Sequence, residues 1–507
     1  MLSKLRFRHL SSFTQIVNFN KDSTHFHDLY PSDILNIAKC RDNTVYDNIK
    51  FLGLISTCVI ANVEKWNMAD LSDLTTTLLR QYFISNNKLH QNNPLYSLYN
   101  LIHSQLRDKI DDISLSDSAK MAETLKLFNK LPIETSRLLT KKLHKTLVTD
   151  CTSLNTYVLG NLLWAMDSHV TTVFLRVLVN KLANVRHLAP RFPETWVVYM
   201  RFIAKHRYHS KHFLLGMAKK AVSTLKNGKN PNYKYNEMIP TVAWAFAIIF
   251  PLRAANQLGF KAKEITIIKN LYTTLINTYL DDDIKSYVSN GGIVRLAWSL
   301  SVQDLLGKYP EFIASLQPNL SNQISDTRHA TMLYYSLRYL EIQYPHLINT
   351  LQPIYEQCTT LLKNTPRMKS IQPSKSQRLV SDALNSWRIP HKFEYTTPKL
   401  VSIDISIEST LYGEKIAIEV DGPWHFLTFH NTQERVRTGP SFFKHWLLES
   451  EGWNVISLQP SNRNLQDLQN DLQEFGEESC QNSRRMQREE YKKALLGSGS
   501  KYLSLLL

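Results

Sequence analysis

Ile416-Ala417-Ile418-Glu419-Val420-Asp421-Gly422-Pro423-Trp424-His425-Phe426 reads as a strand with a hard stop. Ile416, Ile418 and Val420 fall on one side and Ala417, Glu419 and Asp421 on the other, the period of two of an extended chain. Gly422-Pro423 ends it, because proline cannot donate to a ladder and the pair favours a turn. Upstream, Val401-Ser402-Ile403-Asp404-Ile405-Ser406-Ile407 alternates in the same way, behind a short extended piece at Lys392–Tyr395 and an amphipathic helix at about Lys375–Trp387. Downstream, a helix at about Ser441–Glu451 runs through Gly452 into another strand, Trp453–Leu458. Helix, three strands in a meander, helix and strand predict a mixed sheet, because the crossover helix makes the last strand pair in parallel.

The hairpin between the two alternating segments carries a further expectation. If it closes near Leu411–Tyr412, a symmetric register sets Asp404 opposite Glu419 and Ser402 opposite Asp421. Three carboxylates then crowd one outward sheet face. Like charges across strands cost about 0.2–1 kcal/mol, so a compensating cation is expected there.

Before this domain the sequence obeys a different grammar. From about Pro31 to Leu362 apolar residues recur at helical spacing, as in Leu71, Leu74, Leu78 and Leu79, or Leu125, Phe128 and Leu131. Caps are expected at Ser116 and at Pro132 with Glu134, and Asn290-Gly291-Gly292 reads as a break between helices. Asn161–Ala165, Thr241–Phe246 and Val294–Trp298 share a Trp beside Ala on an apolar helix, with the Trp residues read as core. Stacked helical pairs with eroded identity explain this pattern, and a large irregular bundle is the alternative. The predicted class is mainly α: a long, α-solenoid-like helical repeat region followed by a small α/β domain of αβββαβ order. The boundaries are 31–362 for the helices, 363–376 for a basic, Pro-containing linker, 377–475 for the α/β domain and 476–507 for a charged, Gly-Ser-containing tail.

The chain has 507 residues, 60 Lys and Arg against 44 Asp and Glu, and a formal net charge of +16. Such an excess favours a polyanionic partner, because Lys and Arg on phosphate release condensed counterions. Five scattered cysteines show no zinc spacing and no disulfide framework. No stretch reaches the roughly 18 apolar residues that span a bilayer, and Ile239–Leu252 reads as a buried helix, so membrane insertion is not expected. The first 22 residues alternate Lys4, Arg6, Arg8 and His9 with Leu2, Leu5, Phe7 and Leu10, and Asp22 is their first acid. That composition fits a mitochondrial presequence, and hence the matrix, or an ordinary basic N-terminus.

The run from Ile416 to Phe426, followed by Thr438-Gly439, Lys444, Leu447-Leu448 and Gly452-Trp453-Asn454-Val455-Ile456, resembles the RAP domain over about residues 414–474. That family occurs in organellar RNA proteins of apicomplexans, algae and the vertebrate FAST-kinase group. The resemblance implies RNA as partner, single-stranded or structured, in organellar RNA processing, stability or translation, or in association with mitochondrial ribosomal particles. The αβββαβ order also resembles the PD-(D/E)xK, restriction-endonuclease-like fold and its very-short-patch-repair relatives. On that likeness Asp404, Glu419, Asp421 and Lys444 are candidate catalytic residues of an endoribonuclease. Asp404 and Glu419 would ligate Mg²⁺, and no cofactor is required otherwise. The nuclease motif has Lys two positions after the second-strand acid, where this chain has Asp421, so a binding module on a nuclease-like scaffold remains the other reading.

For RNA contact the candidates are Trp424, His425, Arg435, Arg437, Lys444 and His445, with Phe426 and Phe429 interleaved. Cations on phosphate and aromatics on bases are the usual chemistry of single-strand capture, and aromatics that cover the sheet are the alternative. In the helical region Lys205, Arg207 and Lys211 form the densest basic run. His206, His209 and His212 punctuate that run at spacings of three, which leaves metal, phosphate or a solvated helix face open.

Overall fold

The computed structural model describes residues 49–458, apart from 86–92, 129–130, 167–169, 191, 228–234, 321–323, 366–372, 387–388, 409–414 and 430–434, and also residues 31, 34, 35 and 38. The expected presequence and tail, the centre of the expected linker and the hairpin tip lie outside the described residues.

The chain forms two compact units, 1–245 with 428–432, and 246–427 with 433–507. The composition change at 363–376 therefore does not separate them. The first unit holds α1 (Ile49–Ala61), α2 (Met68–Ser85), α3 (Leu95–Asp108), α4 (Leu115–Leu127), α5 (Ile133–Thr149), α6 (Thr156–Ala165), α7 (Thr172–Asn184), α8 (Pro193–Lys205) and α9 (Lys211–Asn227). Helices two apart pack on each other. α1, α3, α5, α7 and α9 make one layer, and α2, α4, α6 and α8 the other. This is the stacking expected of helical pairs, where each pair buries its apolar face on the next. Leu71, Leu74, Leu78, Leu79 and Leu125 are all fully buried in it.

Helix starts follow side-chain caps. Ser114, rather than the expected Ser116, accepts from the Asp117 amide at 3.1 Å, and Asn155 accepts from that of Val158 at 2.9 Å. α10 (Tyr235–Ile249) contains the Trp244 segment. The stretch Asn236–Ala254 is long and apolar enough by length and composition to cross a membrane, but 72% of it is buried inside the fold. The three Trp segments do lie on helices, yet their environments differ. Trp298 is buried, Trp244 is half-buried, and Trp164 is 40% exposed, which corrects its reading as core.

The second unit contains α11 (Ala262–Tyr279), α12 (Asn290–Val302), α13 (Pro310–Leu320), α14 (Thr327–Gln343), α15 (Gln352–Asn364) and the α/β domain. Asn290-Gly291-Gly292 is not a break but the first turn of α12, capped by Ser289. In the α/β domain α16 (Lys375–Ser386) precedes β1 (Lys392–Thr396), β2 (Ser402–Ile407) and β3 (Lys415–Val420). α17 (Gly439–Ser450) and β4 (Trp453–Leu458) follow. The sheet order is β1-β2-β3-β4, with β1, β2 and β3 antiparallel and β4 parallel to β3, as the element order predicts. β2 and β3 pair Ile405 with Ile418, Ser406 with Ala417 and Ile407 with Ile416, and continuing that register sets Asp404 opposite Glu419.

One sheet face packs Ile405, Ile407, Ile418 and Leu458 on Val380, Ala383 and Leu384 of α16. Each such aliphatic side chain contributes about 1.5–3 kcal/mol when fully buried. The other face, expected to point outward, is covered by α17, and Ala417, Glu419 and Asp421 are buried. α17 has two sides to satisfy. Its Phe443 and Trp446 rings lie 6.4 and 5.7 Å from Tyr339 of α14, and the Arg253 guanidinium stands 4.5 Å over Trp446.

Gly439 opens α17 where backbone meets backbone. A Cβ there would fall 1.8 Å from the Ala247 carbonyl oxygen, and rigid main chain cannot yield as a side-chain tip can. Gly439→Ala is expected to destabilise the chain by about 2 kcal/mol or more in urea denaturation. Gly216→Ala, at an exposed α9 position with nothing within 4 Å of a Cβ, is expected to be neutral or to stabilise by about 0.5–1 kcal/mol.

Candidate nucleic-acid interface and the carboxylates beneath it

β3 delivers two carboxylates, two residues apart, to the face under α17. Glu419 and Asp421 are each 2% exposed. A buried carboxylate must be neutralised or paired, and here the partners come from α17 and from the turn after β3. Lys444 Nζ donates to Glu419 Oε2, while Glu419 Oε1 has no hydrogen-bond partner. Lys444 is thus the compensating cation that the crowded face demands. Burial pushes the Glu419 carboxyl up to about 7; Lys444 opposes the rise, and Asp404 and Asp421 add to it. Asp404 is only half-buried, and its Oδ2 accepts from the Val420 amide at 2.8 Å.

Glu394 and Gln377 join this acidic cluster and had not been singled out in the sequence. Gln377 Nε2 donates to Glu394 Oε1 at 3.1 Å, and burial, then Asp404, raise the Glu394 carboxyl. A single Glu on a short edge strand and a Gln on an amphipathic helix carry no local signal of such a meeting. Among the described residues no group of three or more His, Cys, Asp and Glu could hold a metal ion.

Asp421 organises a second, basic cluster. Ser457 Oγ on β4 donates to its Oδ2, and His425 Nδ1 lies 3.1 Å from its Oδ1. Arg437 Nε and His445 Nε2 stand 3.9 and 4.0 Å from Oδ2. His445 is buried, and burial, with Arg437 and Lys444 beside it, lowers its pKa to about 3. It therefore lies beneath the surface as a neutral ring, not at a position to meet phosphate. Lys444 too is turned inward, to Glu419.

The remaining candidates of this unit do reach the surface. Trp424 is 69% exposed on the short turn Pro423–His425, and Arg435 is exposed. Arg437 and Phe426 pair as an antiparallel bridge, flanked by hydrogen bonds from Leu427 to Val436 and from Thr438 to His425, both 2.8 Å. The extended backbone puts Arg435 and Arg437 on one side and Val436 inward. Arg435, Arg437, Phe426, Phe442, Gln257 and Ser457 line a pocket of about 270 Å³.

In the first unit Lys205 ends α8 and Lys211 begins α9, with Arg207 in the turn between them at φ 52°. The run thus crosses a helix–turn–helix, so Lys205, Arg207 and Lys211, like His206, His209 and His212, share no single helix face. Tyr208 bridges Thr428, whose amide donates to Arg207 O at 2.9 Å and whose carbonyl accepts from the His209 amide at 3.0 Å. The buried His209 ring packs 5.3 Å from that of Phe429.

A mixed four-stranded sheet between two helices, with an acid-anchored basic and aromatic surface, follows a two-layer helical array. A family model of the RAP domain matches residues 418–467. A chloroplastic RAP domain-containing protein of Oryza sativa subsp. japonica is 28% identical over 193 residues. That alignment covers 36% of this chain and 28% of the relative's own length. The chain carries a RAP domain, and residues 418–467 are its matched core.

The two buried groups impose opposite pH slopes. Glu419, with its folded pKa raised, contributes stability below its unfolded pKa that is lost as pH climbs towards 7. His445, with its folded pKa depressed to about 3, contributes stability above its unfolded pKa that is lost as pH falls. Glu419→Gln is expected to gain on the wild type by up to about 3 kcal/mol between pH 4.5 and 8, read from urea midpoints across that range. A difference between the two proteins that does not change with pH would refute the raised carboxyl.

Proposed function

We propose that this chain is an organellar RNA-binding protein, mitochondrial in our reading, that acts in RNA processing, stability or translation through its RAP domain. One observation carries the proposal: an exposed Trp424 ring stands on a turn pinned from below by Asp421, with the guanidinium groups of Arg435 and Arg437 nearby in sequence and on the surface. Stacking on an aromatic is worth about 1–3 kcal/mol per base, and Arg matches phosphate with a planar fork of donors. The net charge of +16 supports the same reading, as does the chloroplastic RAP-domain relative. The acid-poor first twenty residues support the organelle. The helical array supplies further surface along which a strand would run.

Affinity for a labelled single-stranded RNA, read by anisotropy between 50 and 200 mM salt, is expected to fall with a log–log slope near −0.7 per phosphate contacted. Trp424→Ala is expected to weaken binding about tenfold with its salt slope kept, since stacking carries no counterion. Binding that ignores salt, or no binding, refutes the proposal.

A second reading rests on the other cluster. Asp404, Glu419 and Lys444 meet on one sheet face in an αβββαβ domain, and Glu419 Oε1 is without a partner. Asp404 and Glu419 would be the protein ligands of Mg²⁺, a Lewis acid for hydrolysis of a phosphodiester. Lys444 would then hold Glu419 in place. On this reading, RNA incubated with the full chain is cut when Mg²⁺ is added. Glu419→Ala and Asp404→Ala should each lower the rate at least a hundredfold. Cleavage that survives both changes would exclude this site.

A further inference from the structure

Phe426, two residues after the exposed Trp424, forms with Arg435, Arg437, Phe442, Ser457 and Gln257 the pocket of about 270 Å³. Its lining holds two cations and no acid. Arg435 has no ion pair among the described residues. Arg437 is held through Nε near the buried Asp421, and that Nε has no hydrogen-bond partner at this separation. Two phenyl rings share the lining with the guanidinium groups, and Ser457 spends its hydroxyl proton on Asp421, which leaves its oxygen as an acceptor. An anion alone would leave the rings unused, and an apolar ligand would strand two cations. The lining suits a molecule that is planar and aromatic at one end and doubly acceptor-rich at the other.

We propose that the pocket holds one nucleotide of an RNA strand, its phosphate on Arg435 and Arg437 and its base against Phe426 and Phe442. This rests on the RNA-binding reading and narrows it to a defined subsite. The volume is just below the range of about 300–1,000 Å³ typical of pockets for drug-sized ligands, so one nucleotide enters and a stack of bases does not. Asp421 is a positioning residue here. It fixes Arg437 from behind at the place where a nuclease-like strand would carry a lysine.

The test uses the full chain, a fluorescent 12-nucleotide single-stranded RNA with a 5′-phosphate, the same RNA with a 5′-hydroxyl, and uridine and adenosine monophosphates. Arg435→Gln and Phe442→Ala are each expected to weaken RNA binding about tenfold, while Arg328→Gln, a surface change far along the chain, leaves it within twofold. Circular dichroism checks that the variants fold, and Phe426→Leu, which keeps an apolar side chain at the bridge, replaces any that do not. A preference for the 5′-phosphate identifies the terminal nucleotide as occupant, and equal binding identifies an internal one. If RNA binds but every pocket variant matches wild type, the subsite is wrong and the RNA-binding reading stands. If RNA does not bind at all, the RNA-binding reading fails. Calorimetry with the monophosphates then decides the pocket: heat lost in Arg435→Gln retains a nucleotide site, and no heat removes it.

Discussion

Two carboxylates buried on one strand govern the C-terminal half of this protein. Glu419 and Asp421 lie between the sheet and α17, where an unpaired charge would cost several kcal/mol. The fold meets that cost with Lys444 on α17, His425 in the turn, Arg437 in the returning segment and Ser457 on β4. Each partner is thereby held at a distance set by a buried acid. The arrangement of the basic surface is a consequence of what lies under it.

The two acids sit two residues apart, so they share a face, yet they serve different neighbourhoods. Glu419 faces Asp404 and takes Lys444, and Glu394 joins through Asp404, which makes an acidic cluster with one cation in it. Asp421, one strand step later, looks towards the open end of the sheet and gathers histidine and arginine around itself. A lysine at position 421 would repel Arg437 and would leave Ser457 without its acceptor. Asp421 and the basic groups gathered around it are thus parts of one arrangement.

Alternation in residues 402–407 and 415–420 was enough to give the strands and their apolar faces, while the register rested on where the hairpin closes; a slip by one residue would turn Ile405 and Ile418 off the α16 core. Alternation cannot say whether the second face is wet. Glu419 and Asp421 read as outward by polarity, and only the demands of α17, apolar on two sides, put them inside. The same blindness explains His445 and Lys444, which look like surface cations in a basic run but point down to acids. Trp164 fails in the opposite sense, since an apolar helix carries it to the surface of a two-layer stack. Gln377 and Glu394 had no motif to announce them, and their meeting depends on how α16 and β1 fold back. Trp424 and Arg435 were legible because a Gly-Pro stop throws the residues after it out of the ladder.

The matched RAP core, 418–467, is not a unit that can stand on its own. Ile418 buries itself on Ile405 and Ile407 from β2 and on Val380 and Leu384 from α16, all before the core begins. On the opposite side α17 needs Tyr339 and Arg253, and Glu451 at its end faces Arg338 of α14 at 3.8 Å with both side chains buried. Stripped of these neighbours, the segment would expose Phe443 and Trp446 and leave Glu451 beside water with no cation to hold its helix end. The site therefore begins in the helices of the second unit, well before the sequence that resembles the family. Its precision comes from α17 being gripped on both sides, by buried carboxylates below and by aromatic and arginine contacts above.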